Sequence, residues 1–256
     1  MTFDKMTITE LTAVLDCRKE LSYEEVDLLE NDHRRGAVDL LRRFQRRNEK
    51  RLKEEARLQR MLTEEKYLWS MGYKAVAGVD EAGRGPLAGP VVAAAVIFSP
   101  GRVINNLNDS KQLSAAMREK LFELIIQEAE AYGIGSASRE EIDRINIHAA
   151  SMLAMRRALE RLCLPPDYVL VDGFPITHCE FRQKAIKGGD ALSLSIAAAS
   201  VLAKVARDKI MTDLHLSYPR YNFVQNKGYG TFEHRAAISK HGPCPEHRRS
   251  FRLTDQ

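Results

Sequence analysis

Gly78-Val79-Asp80-Glu81-Ala82-Gly83-Arg84-Gly85-Pro86-Leu87-Ala88-Gly89-Pro90 carries two adjacent carboxylates out of an apolar stretch and into a glycine-rich turn that holds one arginine, with a second apolar run at 91–98 behind it. Carboxylates at a strand end are the hard oxygen donors that a divalent cation requires. Glycines free the backbone for close approach to a ligand, and a guanidinium suits a phosphate. The two features lie within six residues. They make metal-dependent phosphodiester chemistry the first expectation.

Outward from this segment, strand-like runs alternate with helical ones. Residues 74–79 and 91–98 read as strands joined through the glycine turn, 133–137 as a third, 168–171 as a short buried strand ending on Asp172, and 181–186 as another. Helices are expected over 114–130 with Ser114 as cap, over 140–162 up to Pro165-Pro166, and over the Ala-rich 191–214 with Asp190 as cap. Strands followed by helices in this order predict an α/β protein, a sheet with helices packed against it.

The acids fall at telling places. Asp80 and Glu81 end the first strand, Asp172 ends the Tyr168-Val169-Leu170-Val171 strand, and Asp190 follows Lys187-Gly188-Gly189. Carboxylates at the carboxyl ends of neighbouring strands converge on one sheet edge, where α/β proteins place their sites. Two Mg²⁺ or Mn²⁺ ions roughly 4 Å apart need about this much negative charge. Successive strand residues point to opposite faces, so Asp80 and Glu81 share a site only if the strand ends or bulges there. Asp208 is the other candidate acid, but it sits well inside the helix beside Arg207, where a structural ion pair suits it better.

Composition bounds the rest. The 256 residues allow one domain with an appendage. No apolar stretch reaches the roughly 18 residues of a bilayer span, and the start lacks a leader pattern, so a cytoplasmic protein is expected. The four cysteines are scattered and read as free thiols. His241-x-x-Cys244-x-x-His247 lacks a fourth ligand nearby and reads as a polar loop rather than a zinc site.

Residues 1–70 hold 30 charged side chains, one glycine and no proline. Residues 1–33 are acidic, with 3 basic and 9 acidic side chains; residues 34–60 are basic, with 11 and 4. The basic stretch suits either phosphate contact or a solvated helix laced with pairs such as Arg51–Glu55. Its apolar stripe (Leu40, Leu41, Phe44, Leu52, Leu58, Met61, Leu62) looks too thin to form a core alone. The expected division is therefore a charged helical extension over 1–70, a core over 71–215 and a loop-rich, short-helical C-terminal region over 216–256.

The segment 78–91 resembles the signature of bacterial ribonuclease HII, the type 2 RNase H. The similarity continues through Asp109-Ser110-Lys111, Val171-Asp172-Gly173, Lys187 to Asp190, residues 195–208, Asn226-Lys227-Gly228-Tyr229-Gly230-Thr231 and the closing His247-Arg248-Arg249-Ser250-Phe251. The resemblance implies an RNase H-like mixed sheet, and catalysis at a divalent-metal site of Asp80, Glu81, Asp172 and Asp190. The family's usual spelling before the fourth acid is Lys-Gly-Asp, so this chain has one glycine more. The resemblance also implies that Gly83, Arg84 and Gly85 sense the ribonucleotide 2′-OH, the group that separates ribose from deoxyribose. It makes Tyr229 the tyrosine whose ring stacks on the neighbouring deoxyribose. Lys111 and Lys204 are candidate phosphate contacts.

The implied activity is endonucleolytic hydrolysis of RNA in RNA/DNA hybrids and of single ribonucleotides embedded in duplex DNA, leaving 3′-OH and 5′-phosphate ends. The chain is expected to act as a monomer, with no clear protein-partner motif. Two rivals are a ribonuclease HIII-like hybrid nuclease, against which the helical extension argues, and a non-catalytic hybrid-binding module. A dinucleotide fold fails on its own motif, because Pro86 stands where the helix should start.

Overall fold

The computed structural model describes residues 3–254 and divides the chain into two compact units, Met1–Gln59 and Arg60–Gln256. The first holds α1 (Ile8–Cys17), α2 (Tyr23–Glu30) and most of α3 (Arg35–Met61). Thr7 with Glu10 and Ser22 with Glu25 form reciprocal capping boxes that fix the starts of α1 and α2. The apolar stripe is thin, yet this unit has a core of its own: Phe3, Leu11, Leu15, Leu29, Ala37, Leu41 and Phe44 are buried together. The sequence stripe along α3 underrates it, because α1, α2 and the first turn of the chain supply the opposite wall.

The second unit begins with α4 (Thr63–Ser70), so packing divides the chain earlier than composition does. Leu68 of α4 joins the core, and the buried Glu65 accepts hydrogen bonds from Ser193 Oγ (2.6 Å), Ser195 Oγ (2.7 Å) and the Ser195 amide (3.0 Å). Ser193 and Ser195 stand at the start of the long helix over 194–217, whose first amides have no partner within the helix, and the Glu65 carboxylate satisfies one of them.

Five strands follow, β1 (Val76–Ala82), β2 (Val91–Ile97), β3 (Ala131–Ala137), β4 (Tyr168–Asp172) and β5 (Gln183–Ile186). They form one mixed sheet in the order β3-β2-β1-β4-β5. β1 pairs antiparallel with β2 and parallel with β4; β2–β3 is antiparallel and β4–β5 parallel. Between β2 and β3 lies α5 (Ala115–Glu128), capped by Ser114.

The expected helix over 140–162 is two helices, α6 (Arg139–Ile145) and α7 (Ile147–Glu160), because Asn146 takes φ 68° and caps the second. That positive φ turns the chain out of α6, and the Asn146 side chain accepts from the Ala149 amide to start α7, so the helix breaks without glycine or proline. The Ala-rich helix is α8 (Leu194–Ser217), and its cap is Ser193, not Asp190; Asp190 lies in a preceding 3₁₀ turn, Gly189–Ala191. The chain closes with α9 (Phe223–Asn226) and α10 (Phe232–His241).

Helices cover both sheet faces. Ala77 and Val79 of β1 face α7, where Ala150, Ala154 and Ala158 are buried. Val76 of β1 and Leu170 of β4 face Ile196 of α8. Among the described residues no helix is long and apolar enough to cross a membrane, and all four cysteines are free.

Backbone meets backbone where β1 crosses α8. A Cβ on Gly78 would stand 2.1 Å from the Ser195 carbonyl carbon and 2.3 Å from the Ile196 nitrogen. Gly78→Ala therefore forces the sheet and α8 apart, with no rotamer to absorb the clash. We expect a loss of at least ~3 kcal/mol in unfolding free energy by denaturant titration; a loss under ~1 kcal/mol would show that the two elements are not so closely seated.

Candidate active site

The period of β1 sets which way each acid points. Val76, Gly78 and Asp80 share the α8 side, whereas Ala77, Val79 and Glu81 share the α7 side. The strand neither ends nor bulges at Asp80, as sharing a site was expected to require. It stays in register with β2 through Glu81–Ala93 and Ala82–Val92. What stops is the other neighbour: the ladder with β4 ends at Val79–Val171. Asp80 and Asp172 are the next residues along the two strands and face the same side. Glu81 lies on the far side of β1 but at its open end, so all three reach one cleft.

That cleft, of about 290 Å³, is lined by Asp80, Glu81 and Asp172 together with residues 82–85, Ser110, Lys111, Ser200, Lys204, Arg207 and Tyr229. Nine of the ten residues singled out in the sequence therefore share it; Asp190 is the exception. It is buried behind the cleft and reaches it through Lys111, whose Nζ stands 3.1 Å from Asp190 Oδ2. The additional glycine has a structural part in this. Gly188 takes φ 67°, and the Gly189 amide donates to Asp172 Oδ1 at 2.7 Å. A side chain on Gly189 would meet Ile196 Cδ1 at 2.6 Å.

Asp80 is 4% exposed, and its Oδ1 accepts from the Glu81 amide at 2.7 Å. Burial, then the charges of Glu81 and Asp172, hold its carboxyl well above the usual range, against the Ser200 hydroxyl that favours the anion. Glu81 is raised by burial, and Arg84 opposes the shift with its Nη1 at 3.3 Å from Oε1. Asp172 is raised by burial and by Asp190, against the Gly189 amide. Partial burial pulls the Lys111 ammonium down, but Asp190, Asp109 and Asp80 outweigh it and leave it raised.

A buried, mutually repelling set of oxygen donors fits a hard divalent cation better than it fits isolated anions. It does not stand as a closed cage: among the described residues no three carboxylate, imidazole or thiol side chains form one ligand set. Two protein cations, Arg84 and Lys111, stand among the acids instead.

The remaining residues have clear places. Tyr229 is 44% exposed, with the Arg207 guanidinium 5.9 Å from its ring centre. A Cβ on Gly85 would lie 3.8 Å from Tyr229 Cε1, so the glycine turn and the tyrosine are neighbours. Lys204 pairs with Asp208 at 2.8 Å. Asp208 thus makes the structural ion pair expected of it, with Lys204 one turn away. Arg207 is buried and donates to the carbonyls of Pro90 (3.1 Å), Lys227 (3.0 Å) and Ala88 (3.1 Å). Sequence reasoning missed this role; Arg207 stands among Lys204, Asp208 and Lys209 on α8, so nothing in the local pattern marks it as the buried cation.

The region of His241-x-x-Cys244-x-x-His247 also differs from its expectation as a polar loop. Cys244 and His247 are buried with Tyr221 and Phe223. Those aromatics, distant in sequence, supply the burial that the local spacing does not show.

The fold matches solved RNase H enzymes. Ribonuclease H2 from Pyrococcus horikoshii OT3 superposes with a TM-score of 0.59 at 28% identity, over 70% of this chain and 94% of that one. An RNase HIII solved in complex with Mn²⁺, at 17% identity, gives 0.56 over 71% and 68% and shows the fold alone. The architecture is RNase H-like.

The sequence places it more narrowly. The ribonuclease HII family profile matches residues 77–254 and the ribonuclease HII N-terminal domain profile residues 7–69. Ribonuclease HII of Desulfitobacterium hafniense (strain DSM 10664 / DCB-2) is 48% identical over 98% of this chain and 96% of its own length; that of Clostridioides difficile (strain 630) is 46% identical over 95% of each. The chain belongs to the ribonuclease HII family, hydrolases that cut the RNA strand of RNA/DNA hybrids.

The raised Asp80 carboxyl has a consequence for stability. A carboxyl whose folded pKa exceeds its unfolded value near 3.8 contributes nothing differential below that value. It then destabilises the fold progressively as pH rises from that value up to the folded pKa, and the loss is complete above it. Asp80→Asn keeps the Oδ1 acceptor and removes the charge. In metal-free protein it should unfold later than the parent at pH 8, by roughly 1–3 kcal/mol, and show little gain at pH 4. Equal midpoints at pH 8 by calorimetry would show that the acids do not repel as placed.

Proposed function

We propose that the chain cuts RNA/DNA hybrids and single ribonucleotides embedded in duplex DNA on the 5′ side of the ribonucleotide, leaving 3′-OH and 5′-phosphate ends. The observation that carries the reading is one cleft holding Asp80, Glu81 and Asp172 beside Gly83-Arg84-Gly85 and Tyr229. Acids suited to ions and a backbone suited to a sugar stand within one nucleotide's reach.

Asp80, Glu81, Asp172 and Asp190 would hold two Mg²⁺ or Mn²⁺ ions, which supply an activated water and neutralise charge at the leaving 3′-oxygen. The chain's own residues orient the rest. The Gly189 amide and Ser200 hydroxyl turn Asp172 and Asp80. Lys111, exposed over most of its side chain yet tethered to Asp190, is free to swing to a phosphate. Lys204 is held by Asp208 at the cleft wall and supplies positive charge to the strand backbone. Water oxygen adds to phosphorus in line with the 3′-oxygen, the P–O3′ bond breaks, and the departing oxygen takes a proton.

Gly83, Arg84 and Gly85 bring main chain to the ribose where side chains would collide. The Tyr229 ring, part-exposed and with the Arg207 guanidinium beside it, would stack on the adjacent deoxyribose.

In Mg²⁺ or Mn²⁺, Asp80→Asn, Glu81→Gln and Asp172→Asn should each lower cleavage of a single-ribonucleotide duplex at least ~100-fold, with folding intact. Gel mapping should find the cut 5′ to the ribonucleotide. Undiminished cleavage by Asp80→Asn, or a cut on the 3′ side, would overturn the assignment.

A further inference from the structure

Arg248 is fully buried, and among the described residues its guanidinium makes no hydrogen bond to a carboxylate, although the charge of Asp143 favours it. Its guanidinium donates to four main-chain carbonyls instead: Nη2 to Gly83 O (2.6 Å) and Pro90 O (3.2 Å), Nη1 to Arg84 O (3.0 Å) and Nε to Gly89 O (2.9 Å). A buried cation whose hydrogen bonds go only to neutral carbonyls is costly to keep, and here burial, then Arg207, push it down to about 9 against the opposing charge of Asp143. What it achieves follows from peptide geometry. In a planar trans peptide the N–H points opposite the C=O. Carbonyls of Gly83 and Arg84 turned inward to Arg248 leave the amides of Arg84 and Gly85 turned outward, on the side that lines the cleft. Neither amide donates to another group among the described residues.

The residue before Arg248 reaches the other arm of the site. His234 Nδ1 lies 2.8 Å from the Tyr229 carbonyl, which only accepts, so Nδ1 carries the proton. His234 Nε2 is then the acceptor for His247 Nε2–H at 3.0 Å, and His247 Nδ1 accepts the Cys244 amide at 2.9 Å. The order of donors is fixed from end to end with both rings neutral. Burial favours that state, pushing His247 down to about 4 and lowering His234 as well.

We propose that Arg248 and the His247–His234 pair are positioning residues for ribose recognition, setting the Arg84 and Gly85 amides and the Tyr229 loop from a single buried C-terminal segment. The proposal rests on the reading of Gly83–Gly85 and Tyr229 as the sugar-sensing elements.

The test uses the full chain with Arg248→Ala, Arg248→Lys and His234→Phe, beside Tyr229→Ala and Gly85→Ala as controls on that reading. Each variant is assayed for kcat/KM on a single-ribonucleotide duplex and on a uniform RNA/DNA hybrid, with its melting temperature and its Mn²⁺ affinity by calorimetry. A loss of folded protein lowers both substrates in proportion; a misplaced reader lowers the single-ribonucleotide substrate more. The expected result is a ~10-fold or greater fall in the ratio of the two kcat/KM values, unchanged Mn²⁺ affinity, and partial recovery of Arg248→Ala by millimolar methylguanidinium. Arg248→Lys keeps a cation but reaches fewer carbonyls, and should fall between parent and Ala.

Proportional loss on both substrates overturns the proposal, as does unfolding of both Arg248 variants below assay temperature, which would make Arg248 a folding residue. If Tyr229→Ala and Gly85→Ala leave the ratio unchanged, the sugar-sensing reading itself fails. If they lower it while Arg248 and His234 variants do not, only the present inference fails.

Discussion

Asp80, Glu81 and Asp172 repel one another in a cleft that shields them from water, and the fold must hold them there. Left to themselves such groups separate or take up protons. Each is pinned by main chain: Asp80 and Glu81 by the β1–β2 ladder, Asp172 by its strand and by the Gly189 amide. The ladder in turn depends on α8 lying directly on β1, which the missing side chain at Gly78 permits. A repelling acid cluster is a poor stabiliser and a good receptor for multivalent cations, and its placement makes sense as the latter.

A second constraint runs the opposite way. Behind the acids, Arg207 and Arg248 are buried with carbonyl oxygens as their partners, so positive charge is spent on shaping loops. The cleft thus has an acidic floor at the strand ends and a glycine-rich wall whose carbonyls are drawn inward. The proposed function rests on the pair: the floor suits ions, the wall offers amides, and a ribose beside a phosphate presents groups for both.

Much of this was legible in the sequence. Strand period, glycine turns and strand-end acids identified the α/β sheet and brought Asp80, Glu81 and Asp172 to one edge, since those features depend on local spacing alone. What escaped depends on partners far along the chain. The sharing of one cleft by Asp80 and Glu81 comes from β4 ending early, not from any bend in β1. Ser193 displaced Asp190 as the cap of α8 because Gly188 and Gly189 make a separate turn first. The role of Arg207 is invisible locally because its carbonyl partners lie up to 119 residues away. His247 reads as a polar loop residue because Tyr221 and Phe223, which cover it, are remote in sequence.

The central claim is that the acids at the ends of β1 and β4, with Asp190, form the site for catalytic divalent ions. Calorimetric titration of Mn²⁺ into the protein bound to a non-cleavable, 2′-OH-bearing duplex tests it most directly. The account predicts two ions per chain for the parent, with affinity weakened at least ~10-fold in Asp172→Asn and in Asp190→Asn. Unaltered stoichiometry and affinity in both variants would contradict it.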